Sequence, residues 1–157
     1  MSNIAIYPGS FDPFTNGHLD IVKKGSRLFD EVHIIIGTNM NKKRSYDAET
    51  VKGAIEKTLA DNNISNCKVF VWNGLIAEYT NKYKVGYMIR GLRNNMDYNY
   101  EENIAEVNKL INPELEYVYF RAENVAVSSS MVKELISYGK DVSKYVPAAV
   151  MNIINKH

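Results

Sequence analysis

The sequence is poor in cysteine and in net charge, and it lacks long apolar runs. Cys67 is the only cysteine among 157 residues, which excludes a disulfide framework within the chain and a cysteine-rich metal site. The formal net charge is +1, so no global field would attract nucleic acid or a membrane. The basic cluster at residues 42–44 is too local for a polynucleotide but suits one phosphorylated small molecule. No apolar run reaches the roughly 18 residues of a membrane span, and the N-terminus lacks the pattern of a signal peptide. We expect a soluble cytoplasmic protein that binds neither nucleic acid nor membrane.

Motifs that would identify several common sites are missing as well. GxGxxG and GxxxxGK(S/T) do not occur, which disfavours a nicotinamide dinucleotide site and a P-loop. HExxH, CxxC and GxSxG are also absent, which argues against a metalloprotease, a thiol redox site and an α/β-hydrolase.

Apolar runs that read as strands alternate with patterns that read as helices. The predicted strands are residues 3–7, 32–37, 68–72, 87–90 and 116–120. The predicted helices are residues 17–29, 47–60, 75–83, 96–111, 129–138 and 146–154. Asp47 is a plausible N-cap, Gly139 fits the position that closes a helix, and Pro147 fits a first turn.

The strand runs lack polar alternation, which is typical of a parallel sheet buried on both faces. Residues 1–157 therefore predict a single α/β domain, a doubly wound (Rossmann-like) five-stranded parallel sheet with flanking helices and a C-terminal helix. Ligands of such sheets bind outside the carboxyl ends of the strands. The segments with chemically active residues follow those ends, at residues 9–18, 38–44, 73–76, 90–93 and 121–130.

The segment that carries most information is YPGSFDPFTNGH, residues 7–18. A strand, a loop shaped by glycine and proline, and a helix start bearing His18 together favour a phosphate site, with unpaired backbone N–H groups at the helix N-terminus. The alternative is a tight turn with a capping residue and a surface histidine. Thr15-x-Gly17-His18 resembles the T/HxGH signature of the nucleotidyltransferase superfamily, and the whole segment resembles the phosphopantetheine adenylyltransferases.

Two further motifs extend this resemblance over essentially the whole chain. Residues 90–93, RGLR, resemble the second motif of that family, and residues 128–134, SSSMVKE, resemble the third. The sequence departs from the family pattern in three places. Ser10 stands where many relatives have threonine, an arginine expected within residues 46–51 is missing, and residues 124–127 replace a more aromatic loop.

The resemblance implies transfer of the adenylyl group of ATP to 4′-phosphopantetheine, giving dephospho-CoA and pyrophosphate. It implies that the acceptor phosphate attacks the α-phosphorus in line, so catalysis would be positioning and electrostatic stabilisation. Mg²⁺ is the expected cofactor, held mainly by phosphates rather than by protein side chains. A homohexamer is expected, with dephospho-CoA or CoA as a product or feedback ligand.

The resemblance also assigns the residues of the site. His18 would stabilise the transition state, with Lys42 and Arg93 as the other catalytic residues. Ser10, Lys42, Ile76 and Arg90 would bind the acceptor, with Leu75 beside Ile76. The residues expected to bind ATP are Ser10, Phe11, His18, Gly91, Leu92, Arg93, Glu101, Asn124, Val125, Ala126, Val127, Ser128, Ser129 and Ser130.

From the residues alone, each assignment has a simpler alternative. Lys42 can be a solvated lysine, since most loop lysines are. Arg90 and Arg93 can pair with acids such as Asp97 and Glu101, which itself can lie on a solvated helix face. The three serines can be helix caps, and Leu75 and Ile76 can be core residues.

Two other functions stay open. One is a sister nucleotidyltransferase for nicotinamide mononucleotide or glycerol phosphate, which usually carries HxGH. The other is a non-catalytic nucleotide-binding module.

Overall fold

The structure is a computed structural model that describes residues 3–38, 43–92, 105–122 and 128–157. Its strands form one sheet in the order β3-β2-β1-β4-β5, in which every neighbouring pair is parallel. The strands are β1 Ile4–Gly9, β2 Glu31–Thr38, β3 Cys67–Asn73, β4 Tyr87–Leu92 and β5 Glu116–Arg121. The predicted five-stranded parallel sheet is confirmed.

The helices that connect the strands also follow the prediction within a few residues. They are α1 Asn16–Leu28, α2 Ala48–Asp61, α3 Ile76–Tyr83, α4 at residues 105–111, α5 Ser129–Ser137 and α6 Ala148–Lys156. The part of the predicted helix before residue 105 lies outside the described residues. No helix within the described ranges is long and apolar enough to cross a bilayer.

Capping residues explain where several helices begin and end. Asp47 caps α2, since its carboxylate accepts the Thr50 N–H at 3.1 Å. Gly139 follows α5 with a φ of 71°, and its N–H and the next one bond back to carbonyls of the last turn. Pro147 was expected inside the first turn of the last helix, but it is the N-cap, and α6 begins one residue later.

Helices cover both faces of the sheet. On one face Ala5, Tyr7, Ile34 and Ile36 belong to a core cluster that includes apolar residues of α1, α2, α5 and α6. On the other face Ile6, Ile35 and Met88 form a second cluster with residues of α3 and the segment after it. Alternate residues of one strand thus enter opposite cores, which confirms a doubly wound sheet.

The sheet separates between β1 and β4. These strands are paired only through Ala5–Tyr87 and Ile6–Met88, whereas β1 pairs with β2 through six residues and β4 pairs with β5 through six. This is also where the strand order reverses, because the chain crosses from β3 back to β4 on the far side of β1. The carboxyl ends of β1 and β4 therefore flank the crevice in which such folds bind ligands.

Candidate active site

The loop after β1 holds His18 in a fixed orientation. Thr15 is the N-cap of α1, its backbone N–H donates to His18 Nδ1 at 2.9 Å, and its hydroxyl accepts the His18 backbone N–H at 3.3 Å. This reciprocal pair is a capping box with histidine in the usual place of glutamate. Because Nδ1 accepts a hydrogen bond, the proton of a neutral imidazole is assigned to Nε2. The ring therefore presents Nε2–H as its donor.

The same contacts correct one expectation about the start of α1. Unpaired backbone N–H groups were predicted there as a phosphate site. Instead, the His18 N–H is bonded to Thr15, and the Asn16 N–H donates to the Tyr145 carbonyl at 2.8 Å. The helix start is already capped by its own chain, so a phosphate near it would depend on the imidazole more than on these two amides.

Aromatic rings surround the His18 imidazole. Phe11 meets it edge-on with ring centroids 5.0 Å apart, Phe14 lies at 5.5 Å and Tyr7 at 6.4 Å. Phe11 is only 2% exposed and has a φ of 48°, a left-handed conformation that costs a non-glycine residue energy. Its ring is a wall of the histidine site. A contact of this residue with ATP would therefore involve its backbone.

Two of the four predicted acceptor residues line a crevice between β1 and β4. A pocket of about 200 Å³ lies at the carboxyl ends of these strands. Ile76 and Arg90 both line it, and the Arg90 Nη1 donates to the Pro8 carbonyl at 2.8 Å across the separated strands. The full lining is Pro8, Gly9, Gly37, Ile76, Met88, Arg90 and Asn108. Asn108 was missed by sequence reasoning, because an asparagine within a helical run carries no local signal of its own.

Leu75 is at the start of α3, beside this pocket. It is 54% exposed and is the N-cap of the helix, after Gly74 with a φ of 134°. The Trp72 indole N–H donates to the Leu75 carbonyl at 3.1 Å. Trp72 and Ile76 both pack against the second core cluster. This contact fixes the backbone that carries Ile76 into the pocket.

The serines before α5 are used by the protein itself. Ser128 caps the helix by accepting the Met131 N–H at 3.2 Å, as the alternative interpretation predicted. The Ser129 hydroxyl donates to the Pro13 carbonyl at 2.6 Å, which ties the start of α5 to the loop after β1. Ser130 is exposed. Two of the three predicted ATP-binding serines thus position the loops, and ATP contacts there would use backbone groups or Ser130.

Gly91 and Leu92 end β4 on the crevice side. A Cβ on Gly91 would lie 3.2 Å from Ile21 of α1, so the missing side chain already serves helix packing. The other predicted site residues lie outside the described residues: Lys42, Arg93, Glu101, Asn124, Val125, Ala126 and Val127.

The loop between β2 and α2 uses its polar groups differently from the expectation. Arg44, part of a basic cluster expected to suit a phosphorylated ligand, donates to the Ser10 carbonyl at 2.7 Å and to the Tyr46 carbonyl at 2.9 Å. Asp12, which sequence reasoning did not single out, accepts two backbone N–H groups of this loop. Burial, and next the charge of Asp12, raise the pKa of Tyr46. The position of the missing family arginine falls in the core, where Val51 is 2% exposed.

Two titratable groups away from the crevice, His33 and Cys67, have structural surroundings. His33 bonds to the Tyr79 hydroxyl at 3.0 Å and to Glu31 at 2.8 Å. Burial raises the pKa of the Cys67 thiol to about 11, so it is a core residue rather than a nucleophile.

Comparisons with known proteins agree with this geometry. Residues 6–135 match the family model described as cytidylyltransferase-like. A phosphopantetheine adenylyltransferase of Lacticaseibacillus casei (strain BL23) is 43% identical over 150 residues, covering 94% of this chain and 89% of that protein. The phosphopantetheine adenylyltransferase of Cytophaga hutchinsonii is 41% identical over 149 residues, covering 94% of this chain and 98% of that protein.

A solved structure is similar in fold. It is a Vibrio parahaemolyticus protein provisionally named a nicotinate-nucleotide adenylyltransferase, and it superposes with a TM-score of 0.69 at 17% identity. The match covers 99% of this chain and 93% of that chain. At this identity the likeness establishes the shared architecture and nothing about the acceptor.

Proposed function

Because this chain belongs to the phosphopantetheine adenylyltransferase family, we propose that it transfers the adenylyl group of ATP to 4′-phosphopantetheine. The products would be dephospho-CoA and pyrophosphate. The observation that carries the proposal is that the pocket between β1 and β4 lies next to the His18 imidazole at one edge of the sheet. Gly9 lines the pocket, a Cβ placed on it would lie 2.9 Å from the Phe11 ring, and that ring packs edge-on against His18. A donor for a phosphate and an apolar crevice for a pantetheine arm are therefore neighbours.

In this proposal the protein supplies positioning and electrostatics. An oxygen of the acceptor phosphate forms a bond to the α-phosphorus of ATP as the bond to pyrophosphate breaks, and no proton needs to leave the attacking anion. The His18 Nε2–H donates to the charge that develops on the α-phosphate, and its backbone and aromatic contacts fix it in advance. Arg90, oriented by the Pro8 carbonyl, binds the acceptor phosphate together with Lys42. Arg93 binds nucleotide phosphates.

We also propose that Mg²⁺ arrives on the phosphates of ATP. Among the described residues no group of three histidine, cysteine, aspartate or glutamate side chains could hold a metal. The carboxylate of the loop after β1, Asp12, has both oxygens bonded to backbone N–H groups. Mg²⁺ keeps several waters and binds readily to phosphates, where it neutralises charge. Titrating activity with Mg²⁺ at fixed ATP tests this: the activity should follow the Mg–ATP concentration.

The test of the function is pyrophosphate release with four acceptors in parallel. Phosphopantetheine should turn over, and pantetheine should not, because it lacks the attacking oxygen. Nicotinamide mononucleotide and glycerol phosphate keep a phosphate but have no arm to fill the crevice at Ile76 and Met88. Turnover of nicotinamide mononucleotide without turnover of phosphopantetheine would move the protein to the sister family. ATP binding with no turnover of any acceptor would favour the non-catalytic module.

Calorimetry with each ligand tests whether Arg90 binds the acceptor. Arg90→Ala should weaken binding of phosphopantetheine more than binding of ATP, because Arg90 lines the pocket that we propose for the acceptor. Loss of a charge-assisted bond costs about 1.5–3 kcal/mol, or roughly 10- to 150-fold in affinity. Arg27→Ala, at an exposed arginine in the last turn of α1, is the control and should change neither affinity. A loss confined to ATP would contradict the assignment of Arg90.

We further propose a homohexamer in the cytoplasm, where ATP is available. Five of the eight large hydrophobic residues that the described part exposes lie on β3, before or at the end of α3, or on α4: Phe70, Leu75, Tyr83, Val107 and Leu110. This grouping of exposed apolar residues supports burial of the surface around β3, α3 and α4 between subunits. Leu110→Lys, at a residue 85% exposed, should reduce the mass measured by light scattering, whereas Leu28→Lys on α1 should not. A monomeric wild type would refute the assembly, and cell fractionation tests the location.

A further inference from the structure

The carboxylate of Asp12 joins the loop after β1 to the loop after β2. Asp12 is buried, with only 6% of its surface exposed. Oδ2 accepts the Ser45 N–H and Oδ1 accepts the Tyr46 N–H, both at 2.8 Å. Two consecutive amides bonded to two oxygens of one carboxylate fix the orientation of the segment as well as its position. Bonds to an ionised acceptor are shorter and stronger than neutral ones.

Two cations complete the cluster, one from the loop after β2 itself and one from α5. Lys133 of α5 lies 3.5 Å from Asp12 Oδ2. Arg44 Nη2 is buried 3.9 Å from Asp12 Oδ1 and makes no hydrogen bond within the described residues. The other two guanidinium nitrogens of Arg44 both donate hydrogen bonds, Nη1 to the Ser10 carbonyl and Nε to the Tyr46 carbonyl. The positive charges offset the cost of burying the carboxylate, and they extend its contacts to α5 and to Ser10.

We propose that Asp12 is a positioning residue that holds the acceptor side of the site in register with the ATP side. The inference rests on the proposed function. The segment it holds by hydrogen bonds, Ser45–Tyr46, follows the predicted phosphate-binding Lys42 by three residues. The segment that contains Asp12 runs between Ser10 and His18, and Lys133 belongs to the helix whose start carries the predicted ATP-binding serines. Every segment that the cluster joins therefore carries a residue predicted to touch a phosphate.

The register matters because in-line transfer depends on the distance between two phosphates. One binds near Lys42 and Arg90, the other near His18. A shift of about 1 Å between reacting groups can cost on the order of 10²-fold in rate. The loop after β2 has no strand partner at residues 43–46, so the carboxylate, together with the Arg44 bond to the Ser10 carbonyl, connects it to the loop after β1. Loosening this connection should act on turnover and on the acceptor before it acts on the fold.

The main variant is Asp12→Asn, which keeps the shape but sets an amide NH₂ against one of the two backbone N–H groups. We expect kcat/KM for phosphopantetheine to fall about 10²-fold, with the KM for phosphopantetheine rising more than the KM for ATP. We also expect faster amide exchange at Ser45 or Tyr46. Lys133→Met keeps the apolar stem and removes the charge on the α5 side, and should raise the KM for ATP more than that for the acceptor.

The matched control is Asp47→Asn. This aspartate lies one residue beyond Tyr46 and caps α2 through Thr50, but it does not reach the loop after β1. It should alter stability while leaving the ratio of the two KM values unchanged. An equal change in that ratio for both variants would reduce Asp12 to general support of the segment and overturn the proposal. If Asp12→Asn does not fold, Arg44→Lys carries the test, since it loses the bridge from Ser10 to Tyr46 and should again raise the acceptor KM more.

Different results would refute the proposed function and the positioning role of Asp12. A wild-type protein that releases no pyrophosphate from ATP and phosphopantetheine refutes the proposed function. An active wild type, with an Asp12→Asn variant of normal kinetics and normal amide exchange, refutes only the positioning role of Asp12.

Discussion

Replacing Gly9 by alanine should damage the site through the Phe11 ring. Gly9 ends β1 and lines the crevice. A Cβ there would lie 2.9 Å, 3.0 Å and 3.3 Å from three atoms of the Phe11 ring. Carbon atoms in contact sit about 3.5–4.0 Å apart, so the ring would have to retreat by roughly 0.6 Å. Its centroid lies 5.3 Å from that of Tyr7, 5.5 Å from Phe14 and 5.0 Å from His18, so any movement is passed to the imidazole.

The size of the effect follows from overpacking. Extra atoms in a well-packed core cost about 1–3 kcal/mol, and for a chain of this length each kcal/mol lowers the unfolding midpoint by about 2–4 °C. Alanine also lowers the conformational entropy of the unfolded chain, which stabilises the folded protein by about 0.4–1 kcal/mol and offsets part of this cost. We therefore expect Gly9→Ala to melt a few degrees lower. The kcat should fall by about 10-fold to 10²-fold, because the His18 donor is displaced from the transition state.

Gly86→Ala is the matched control for this experiment. A Cβ on Gly86 would meet nothing within 4 Å, and Gly86 precedes β4 on the side away from the crevice. Circular dichroism gives both unfolding midpoints, and pyrophosphate release gives both kcat values. The control should match the wild type in both measurements. A Gly9→Ala variant with a wild-type midpoint and kcat would refute the reasoning that the Phe11 ring is held rigidly against His18.

Three further changes have expected outcomes. His18→Ala should keep ATP affinity in calorimetry and lose about 10²–10³ in kcat; a near-normal kcat would remove the residue from its role. Gly53→Ala in α2, where a Cβ meets nothing within 4 Å, should raise the unfolding free energy by about 0.5–1 kcal/mol at unchanged kcat, and a lowered midpoint would contradict it. Hydrogen bonds from Lys68, and next from His33, lower the pKa of Glu31 from its ordinary 4.5, so the ionised form favours the folded state. The stability lost in Glu31→Gln should thus be full above about pH 4.5 and disappear at lower pH, and a urea midpoint difference that is equal at pH 7 and pH 3 would disagree.

Apolar runs and the glycines that interrupt them were enough to predict the sheet and the edge at which the crevice lies. Local periodicity sets strand burial, and the carboxyl ends of parallel strands meet at one edge. Asp47 and Gly139 could be assigned because caps act within one helical turn. These features depend on neighbours in sequence, which a single chain displays.

Contacts between distant segments could not be predicted in the same way. Asp12 finds its amide partners 33 and 34 residues away and Lys133 121 residues away, and no local pattern indicates such pairs. Arg44 belongs to a basic cluster that was expected to suit a phosphorylated ligand, but its Nη1 donates to the Ser10 carbonyl instead. The helix start at His18 was expected to leave amides unpaired, and a histidine capping box was not foreseen because that position usually holds glutamate or glutamine.

The parting of β1 from β4 divides the sheet into two unequal ladders, β3-β2-β1 and β4-β5. Two residue pairs join their strands, the Arg90 side chain bonds to the Pro8 carbonyl, and Ile6 and Met88 share the second core cluster. Pro8, Gly9 and Gly37 line the crevice from the first ladder, and Met88 and Arg90 line it from the second. A molecule bound there would contact both ladders, and it would therefore add links between them beyond the two residue pairs and the Arg90 bond.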